Sequence, residues 1–354
     1  MKTARKRKGL TGLLTGAIVL AIVSFFAFTT IQNALKAQGT SGEIVYVVVN
    51  DGDTLNDVTA TLESHDLIGM KWVIELYARY EKITDFKAGI YKVDRGWDAK
   101  TLLTYLTDAA NTQKNDIPLT IIPGEWAKDV AATIAELTDF SVDDVLNLWN
   151  DTTFLTELDT EYSVITSEVI ANADARVKLE GYLLPETVFI NPAWNLEQIT
   201  RRILDQTEIV YTQNKALFDA SDLSVHEVFT LASIVQFEAS KEVDMKKVAQ
   251  VFYNRLAKPM RLQSSVTVCY ALYTYSSWKD CETNSDLNHP YNTYRIDGLP
   301  PGPIDNPSET AVLATLQPTP NNYYFFIADV YGDGTVYYAK TYEEHLKNVE
   351  KYLR

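Results

Sequence analysis

The stretch "LASIVQFEAS", residues 231–240, places an acidic residue on the apolar side of a predicted helix. Glu238 follows Leu231 by seven residues, two helical turns, so its carboxyl points where that apolar side chain points. A carboxyl held against aliphatic side chains loses hydration, which raises its pKa and lets it donate a proton near neutral pH. The pattern therefore predicts a general acid. A structural alternative stays open, in which Glu238 pairs with Lys241 or Arg255.

The N terminus has the pattern of a membrane anchor. Residues 1–9, "MKTARKRKG", carry five Lys and Arg side chains, and residues 10–31 carry no charged residue. That run matches the roughly 20 apolar residues of a membrane-spanning helix. We therefore expect a cytoplasmic basic tail, one transmembrane helix, a polar linker over residues 32–42 and the remaining chain outside the cell membrane. A cleaved signal peptide is the alternative, but no small-x-small cleavage site follows the run.

Composition excludes several classes of partner and cofactor. The formal net charge is -15, and the cations of the basic tail lie apart from the rest, so a nucleic-acid partner is not expected. The four histidines and two cysteines show no metal-ligand spacing, and we expect neither a metal site nor a cofactor. Cys269 and Cys281 either pair in an oxidising compartment or remain free thiols, and the sequence leaves both interpretations open.

Hydrophobic periodicity divides the rest of the chain into two predicted units. Residues 43–110 alternate strands such as "EIVYVVVN" with amphipathic helices and predict a small α+β module. Residues 115–354 predict a larger mixed domain that ends with a hairpin in "YYFFIADVYGDGTVYYAKT" and a closing helix. Residues 152–178 show little sustained period and are interpreted as a loop or as poorly packed helices. The fold class expected is α+β.

Five segments carry a resemblance to a known family. They are "EGYLLPETVFI", "LASIVQFEAS", "VFYNRLAKPMRLQSSVTVCYAL", "YNTYRIDGLPPGPIDNP", and "YYFFIAD" followed by "EEH". In this order and spacing the chain resembles the YceG-like, or MltG, endolytic murein transglycosylases over residues 119–345. Residues 43–110 resemble the LysM-like module that precedes the catalytic domain in that family. The resemblance implies a transmembrane helix, a LysM-like module and a larger catalytic domain, in that order.

The activity that this resemblance implies is cleavage of the bond between N-acetylmuramic acid (MurNAc) and N-acetylglucosamine (GlcNAc) inside peptidoglycan strands. The reaction consumes no water and leaves a 1,6-anhydro end. Glu238 takes the place of the family's catalytic acid, and Gln236 stands where the family has another Glu. The family also suggests a role in terminating or trimming nascent strands near cell-wall synthases.

Matched motifs supply candidate sugar contacts. These are Asn254, Arg255, Gln263, Tyr294 and Glu186. Each has a structural alternative, since Asn254 could cap a helix and Arg255 could pair with an acid.

Besides Gln236, two further motifs depart from the family pattern, and in the second of them the substrate contacts are expected to differ. In "LPET", Glu186 replaces an Asp by a longer acid. In "QSSVT", Val266 stands before Thr267 where the family has Pro.

Two other function classes remain open. In a muramidase, Glu238 would work with a second acid such as Glu186 or Glu180 and leave a reducing end. In a non-catalytic wall-binding or division scaffold, only the anchor and the LysM-like module would matter, although the retained Glu238 argues against this. The separation of the carboxyls in space distinguishes one-acid from two-acid chemistry, and sequence spacing does not give it.

Overall fold

The structure, a computed structural model, describes residue 25 and residues 29–113, 116–329 and 332–353. It divides into two compact units, the first ending at Asp116 and the second beginning at Ile117. Both units combine helices with short antiparallel sheets, which confirms the α+β class predicted from the sequence.

The first unit packs a two-stranded sheet and its helices around one core. Its elements are β1 (Ile44–Val49), α1 (Leu55–Ser64), α2 (Lys71–Glu81), β2 (Gly89–Asp94) and α3 (Ala99–Tyr105), and residues 29–35 before them are helical. Val47 lies opposite Tyr91 in the antiparallel pair, and both are fully buried. Thr54 begins α1 through a capping box with Asp57. Strand alternation thus turns one face of the sheet towards the core.

The second unit is mainly helical. Its elements are β3 (Ile117–Thr120), α4 (Ala127–Leu137), α5 (Val142–Leu148), α6 (Thr152–Glu161), α7 (Ser167–Ala171), β4 (Thr187–Ile190), α8 (Leu196–Gln213), α9 (Lys215–Asp219), α10 (Val225–Glu238), α11 (Glu242–Leu256), α12 (Ser265–Leu272), α13 (Trp278–Thr283), α14 (Glu309–Leu316), β5 (Phe325–Ala328), β6 (Val336–Ala339) and α15 (Tyr342–Tyr352). Strand β3 pairs with β4, and β5 pairs with β6, both antiparallel. The predicted C-terminal hairpin and closing helix are confirmed.

Helix α10 lies at the centre of the second unit. It packs against α11 and α14, and its Leu231, Ile234 and Val235 share one apolar cluster with Val248 and Phe252 of α11. This packing positions the acid at the end of α10, because the helix has no freedom to rotate without exposing those side chains.

The interpretation of residues 152–178 as a loop or poorly packed helices was wrong. Helix α6 buries Phe154, Leu155 and Leu158 in the main core of the unit, and Val169 of α7 is buried with them. The period is weak in sequence because both helices are short and a turn separates them.

The predicted transmembrane segment, residues 10–31, lies almost wholly outside the described residues, as do residues 1–9. Within the part that the structure describes, no helix has both the length and the apolar character needed to cross a membrane.

The two cysteines form a disulfide. Cys269 of α12 and Cys281 of α13 are joined with their Cα atoms 4.9 Å apart, and both residues are buried. Of the two alternatives left open by the sequence, the structure has the bridged one.

Candidate functional site

Glu238 is the last residue of α10 and lies at the edge of the core. Ser224 caps the start of the helix through a capping box with Glu227. The helix then runs through the buried interior and ends at Glu238, because Ala239 adopts an extended conformation with φ -148°. Glu238 is itself only partly exposed. The acid therefore lies where the buried run of α10 ends and the helix reaches the partly exposed boundary of the core.

One hydroxyl holds the carboxyl of Glu238. The Ser264 hydroxyl donates a hydrogen bond to Glu238 Oε1 at 2.6 Å. Ser264 is fixed in turn, since its amide donates to Thr293 Oγ1 at 3.0 Å and its carbonyl oxygen accepts from Thr267 Oγ1 at 2.7 Å. The hydroxyls of Thr267 and Thr293 share a further hydrogen bond of 2.9 Å. These buried polar groups form a satisfied network that orients a single carboxyl oxygen.

Burial raises the pKa of Glu238 above its ordinary value, while the Ser264 hydrogen bond and the charge of Arg255 oppose that rise. Loss of hydration is the largest of these effects, so the protonated form is favoured beyond the pH at which an exposed glutamate ionises. This is the state that a general acid requires before it acts.

Arg255 lies near Glu238 without pairing with it. Its guanidinium donates to the carbonyl oxygen of Tyr324 at 2.6 Å and to that of Leu262. Burial lowers the pKa of Arg255, and the charge of Glu238 opposes this. Neither Arg255 nor Lys241, both of which the structure describes, forms an ion pair with Glu238. The structural alternative in which such a pair explains the acid is therefore wrong.

The side-chain amide of Asn254 donates hydrogen bonds to main-chain carbonyl oxygens. Its amide donates to the carbonyl oxygens of Asn321 and Tyr323 at 3.1 and 2.9 Å, and its oxygen accepts from Gln250 at 2.9 Å. Together with the bond from Arg255 to Tyr324, these contacts fasten residues 321–324 to α11. Any role of these two side chains at the site thus includes positioning of that segment.

Gln263 and Tyr294 are each adjacent in sequence to a member of the hydrogen-bond network, Gln263 to Ser264 and Tyr294 to Thr293. Gln263 has a φ of +47° and an exposed side chain. Its backbone N–H donates to the Thr293 carbonyl oxygen at 3.1 Å. Tyr294 follows Thr293 and is partly exposed. Burial raises the pKa of Tyr294, and the charge of Glu238 adds to this. The structure therefore brings Gln263, Tyr294 and Glu238 together.

The two other carboxyls considered from the sequence are not brought into this group. Glu186 is exposed, and its Oε1 accepts from the Thr187 amide at 3.0 Å. Glu180 is buried, and its Oε1 accepts from the Ala127 amide at the start of α4 at 2.7 Å. Burial raises the pKa of Glu180 to about 8. Neither carboxyl is among the groups that shift the pKa of Glu238.

Two of the sequence motifs meet through Asn306. Its Oδ1 accepts from the amides of Gly181 and Leu183 at 2.9 and 3.1 Å, and its Nδ2 donates to the Glu125 carbonyl oxygen at 3.0 Å. Gly181 has a φ of +86°, and a Cβ there would lie 2.2 Å from Pro303. The segments "EGYLL" and "GPIDNP" are thus locked together.

Gln236, which the resemblance aligns with the first Glu of the family's motif, has a structural contact. Its Oε1 accepts from the amide and the hydroxyl of Ser308 at 3.0 and 2.6 Å. Ser308 is the N-cap of α14, so the side chain joins α10 to the start of a helix packed against it.

Sequence reasoning missed Ser264, Thr293 and Asn306. All three lie inside quoted motifs, but no periodicity marks them, because the hydrogen bonds of their side chains join residues 26 to 181 positions apart. The structure also shows a cavity of about 500 Å³ beside the first turns of α10. His226 lines this cavity, and Glu238 does not. Both ring nitrogens of His226 are already bonded, to Tyr182 and to the Pro301 carbonyl.

Comparison with known proteins gives a consistent group of relatives. The model of the YceG-like family matches residues 47–351. A Bacillus subtilis protein named endolytic murein transglycosylase is 33% identical over 313 residues, which are 87% of this chain and 85% of that protein. A Streptococcus pneumoniae protein of the same name is 30% identical over 353 residues, and the match covers 95% of this chain but 64% of that longer protein.

A solved structure agrees with these sequence relatives. The crystal structure of a YceG-like protein from Listeria monocytogenes superposes with a TM-score of 0.60 at 32% identity. The match covers 87% of this chain and 99% of that one.

Proposed function

The chain belongs to the YceG-like family, and from this premise we propose that it is an endolytic murein transglycosylase, a lyase that cleaves MurNAc–GlcNAc bonds within peptidoglycan strands. The observation that carries the proposal is Glu238, a single desolvated carboxyl bonded to Ser264, with no second carboxyl among the groups that shift its pKa. The names of the relatives support the same activity.

Glu238 serves as acid and then as base. The protonated carboxyl gives its proton to the glycosidic oxygen as the bond from that oxygen to C1 of MurNAc breaks. The resulting carboxylate takes the proton of the C6 hydroxyl of the same MurNAc while O6 bonds to C1. The proton returns to Glu238, no water is consumed, and the product carries a 1,6-anhydro ring. The sugar ring supplies the nucleophile at close range, so a second protein carboxyl is not required.

The surrounding side chains divide these tasks. Because Ser264 occupies Oε1, Oε2 of Glu238 is the oxygen that carries the transferred proton. The positive charge of Arg255 favours the carboxylate formed after transfer. Gln263 and Tyr294 are the sugar contacts that we propose beside the acid, and Asn254 holds residues 321–324 in place. Glu186 remains a predicted sugar contact.

We propose the same arrangement along the chain as the sequence suggests. Residues 10–31 anchor the protein in the cell membrane, with residues 1–9 in the cytoplasm, residues 32–42 as a linker, residues 43–110 as a LysM-like module and residues 115–354 as the catalytic domain outside. The charge-free N-terminal run and the compact unit ending at Asp116 support this. An anchored enzyme would meet nascent strands close to the synthases that make them.

The test uses the full chain purified in detergent and incubated with peptidoglycan. Mass spectrometry of the released fragments should find 1,6-anhydro ends, and the Glu238→Gln variant should release none. Reducing ends would instead show a muramidase, and Glu180→Gln and Glu186→Gln would then identify its second carboxyl. A wild-type chain that binds strands but releases nothing would favour the scaffold.

A further inference from the structure

The disulfide lies beside the segment that carries Tyr294. Cys269 and Cys281 form a small apolar cluster with Val268, and Tyr294 and Leu272 pack against that cluster. The bridge fastens α13 to α12, the helix whose N-cap is Ser264. One covalent link therefore supports both the hydroxyl partner of the acid and a neighbouring aromatic ring.

The residue before Tyr294 completes the connection to the acid. Thr293 Oγ1 accepts from the Ser264 amide, and the Thr293 carbonyl oxygen accepts from the Gln263 amide. Ser264 in turn donates to Glu238. Residues 293 and 294 are thus held on one side by hydrogen bonds to the network of the acid and on the other by packing against the bridged cysteines.

Resting on Glu238 as the acid of the proposed reaction, we propose that the Cys269–Cys281 disulfide is a positioning element. It holds Tyr294 and the start of α12 in position next to the acid, and in this way it keeps water away from the side of the carboxyl that faces the Tyr294 ring. The bridge joins residues 12 apart in sequence across a turn whose residues 274–277 are exposed, so without it α13 is held to α12 by packing alone and its support for the ring weakens.

The charged groups around this ring come from three helices. Burial raises the pKa of Tyr294, the charges of Glu238 on α10 and Glu282 on α13 add to this, and Arg255 on α11 opposes it. Tyr294 and Glu238 thus share a desolvated environment. If the ring moves away, water reaches the carboxyl and its pKa falls towards the ordinary value of a glutamate.

The experiment compares the full wild-type chain with the Cys269→Ala/Cys281→Ala double variant, with kcat and KM measured against pH. We expect the pH at which the variant loses activity on the alkaline side to be lower, and kcat to fall about tenfold from misplacement of the acid. Val145→Ala is the control, because it truncates a side chain in a separate apolar cluster. An equal shift in that control would reduce the effect to general destabilisation and overturn the proposal.

A double-mutant cycle identifies the residue through which the bridge acts. Tyr294→Ala should reproduce the shift, and loss of the bridge in that background should add little to it. Additive shifts would overturn the part assigned to Tyr294. Should the double variant not fold, excess dithiothreitol, which supplies two electrons and two protons to the disulfide, gives the reduced wild-type chain for the same comparison. A normal pH profile for the bridge-free chain overturns the proposal, whereas a wild-type chain without anhydro products overturns the proposed function itself.

Discussion

Ser264 donates its hydroxyl proton to Oε1 of Glu238 at 2.6 Å, and this bond joins the N-cap of α12 to the last residue of α10. It is the one direct side-chain hydrogen bond that the structure shows for Glu238 within the described residues. Its strength affects both the orientation and the acidity of the carboxyl.

Ser264→Ala removes this bond while leaving the backbone free to fold. Since the bond opposes the raised pKa of Glu238, its loss raises that pKa further and moves the alkaline limit of activity upward. We expect kcat/KM to fall about tenfold or more, as for loss of a hydrogen bond to a charged group. The measurement is a pH profile of anhydro-product release. The neighbouring Ser265→Ala serves as the control, and a profile of Ser264→Ala that matches it would contradict the assigned role.

Glu180→Gln should change stability and spare the reaction. The pKa of Glu180 is raised from 4.5 to about 8 by burial, so the folded state binds more protons between those values and loses stability as pH rises through that window. The amide keeps the oxygen that accepts from Ala127 but cannot ionise. We expect the variant to be more stable above pH 8, by up to about 1.4 kcal/mol per unit of pKa difference.

Urea unfolding at several pH values checks this expectation, with the exposed Glu186→Gln as the control. An unchanged pH dependence would mean that Glu180 is already ionised in the folded chain. Loss of activity in a stable Glu180→Gln would make Glu180 a participant in the chemistry.

Gly181→Ala and Gly124→Ala form a matched pair. Both glycines have a φ of +86°, but an added Cβ at Gly181 would lie 2.2 Å from Pro303, whereas none of the described atoms lies within 4 Å at Gly124. The cost of placing an alanine at a positive φ is the same at both positions. The difference between the two variants in the free energy of unfolding therefore measures the clash of the added Cβ with Pro303. We expect Gly181→Ala to lose about 1–3 kcal/mol more in the free energy of unfolding. Equal losses in urea unfolding would show that the two segments can separate there at little cost.

Gln236→Glu introduces the residue that the resemblance implies at this position. The substitution keeps the oxygen that accepts from Ser308 and adds a negative charge at the N-terminus of α14, where the helix dipole favours it. We expect activity and the midpoint of thermal unfolding close to wild type, and a loss of about 1 kcal/mol for Gln236→Ala. A large loss of activity in Gln236→Glu alone would show that a second charge interferes with Glu238.

Local patterns were sufficient to predict the mixed fold and the partly buried position of Glu238. Helical spacing from Leu231 predicted apolar surroundings for Glu238, and α10 is in fact buried on all sides over residues 228–235, just before the acid. The same spacing could not predict the hydrogen bond from Ser264, which lies 26 residues further along the chain. Nor could it predict that Arg255 donates to carbonyl oxygens instead of pairing with a carboxylate. Packing of distant segments decides those contacts, and no local pattern encodes it.

Asn306 adds a consequence for the order in which the protein is made. Its side chain bonds residues that precede it by as many as 181 positions, so those contacts form only after most of the chain has been synthesised. Until then the main-chain amides of Gly181 and Leu183 lack the oxygen that accepts from them in the folded chain. A ribosome-bound chain that stops before residue 306 would therefore lack the link between the segments "EGYLL" and "GPIDNP".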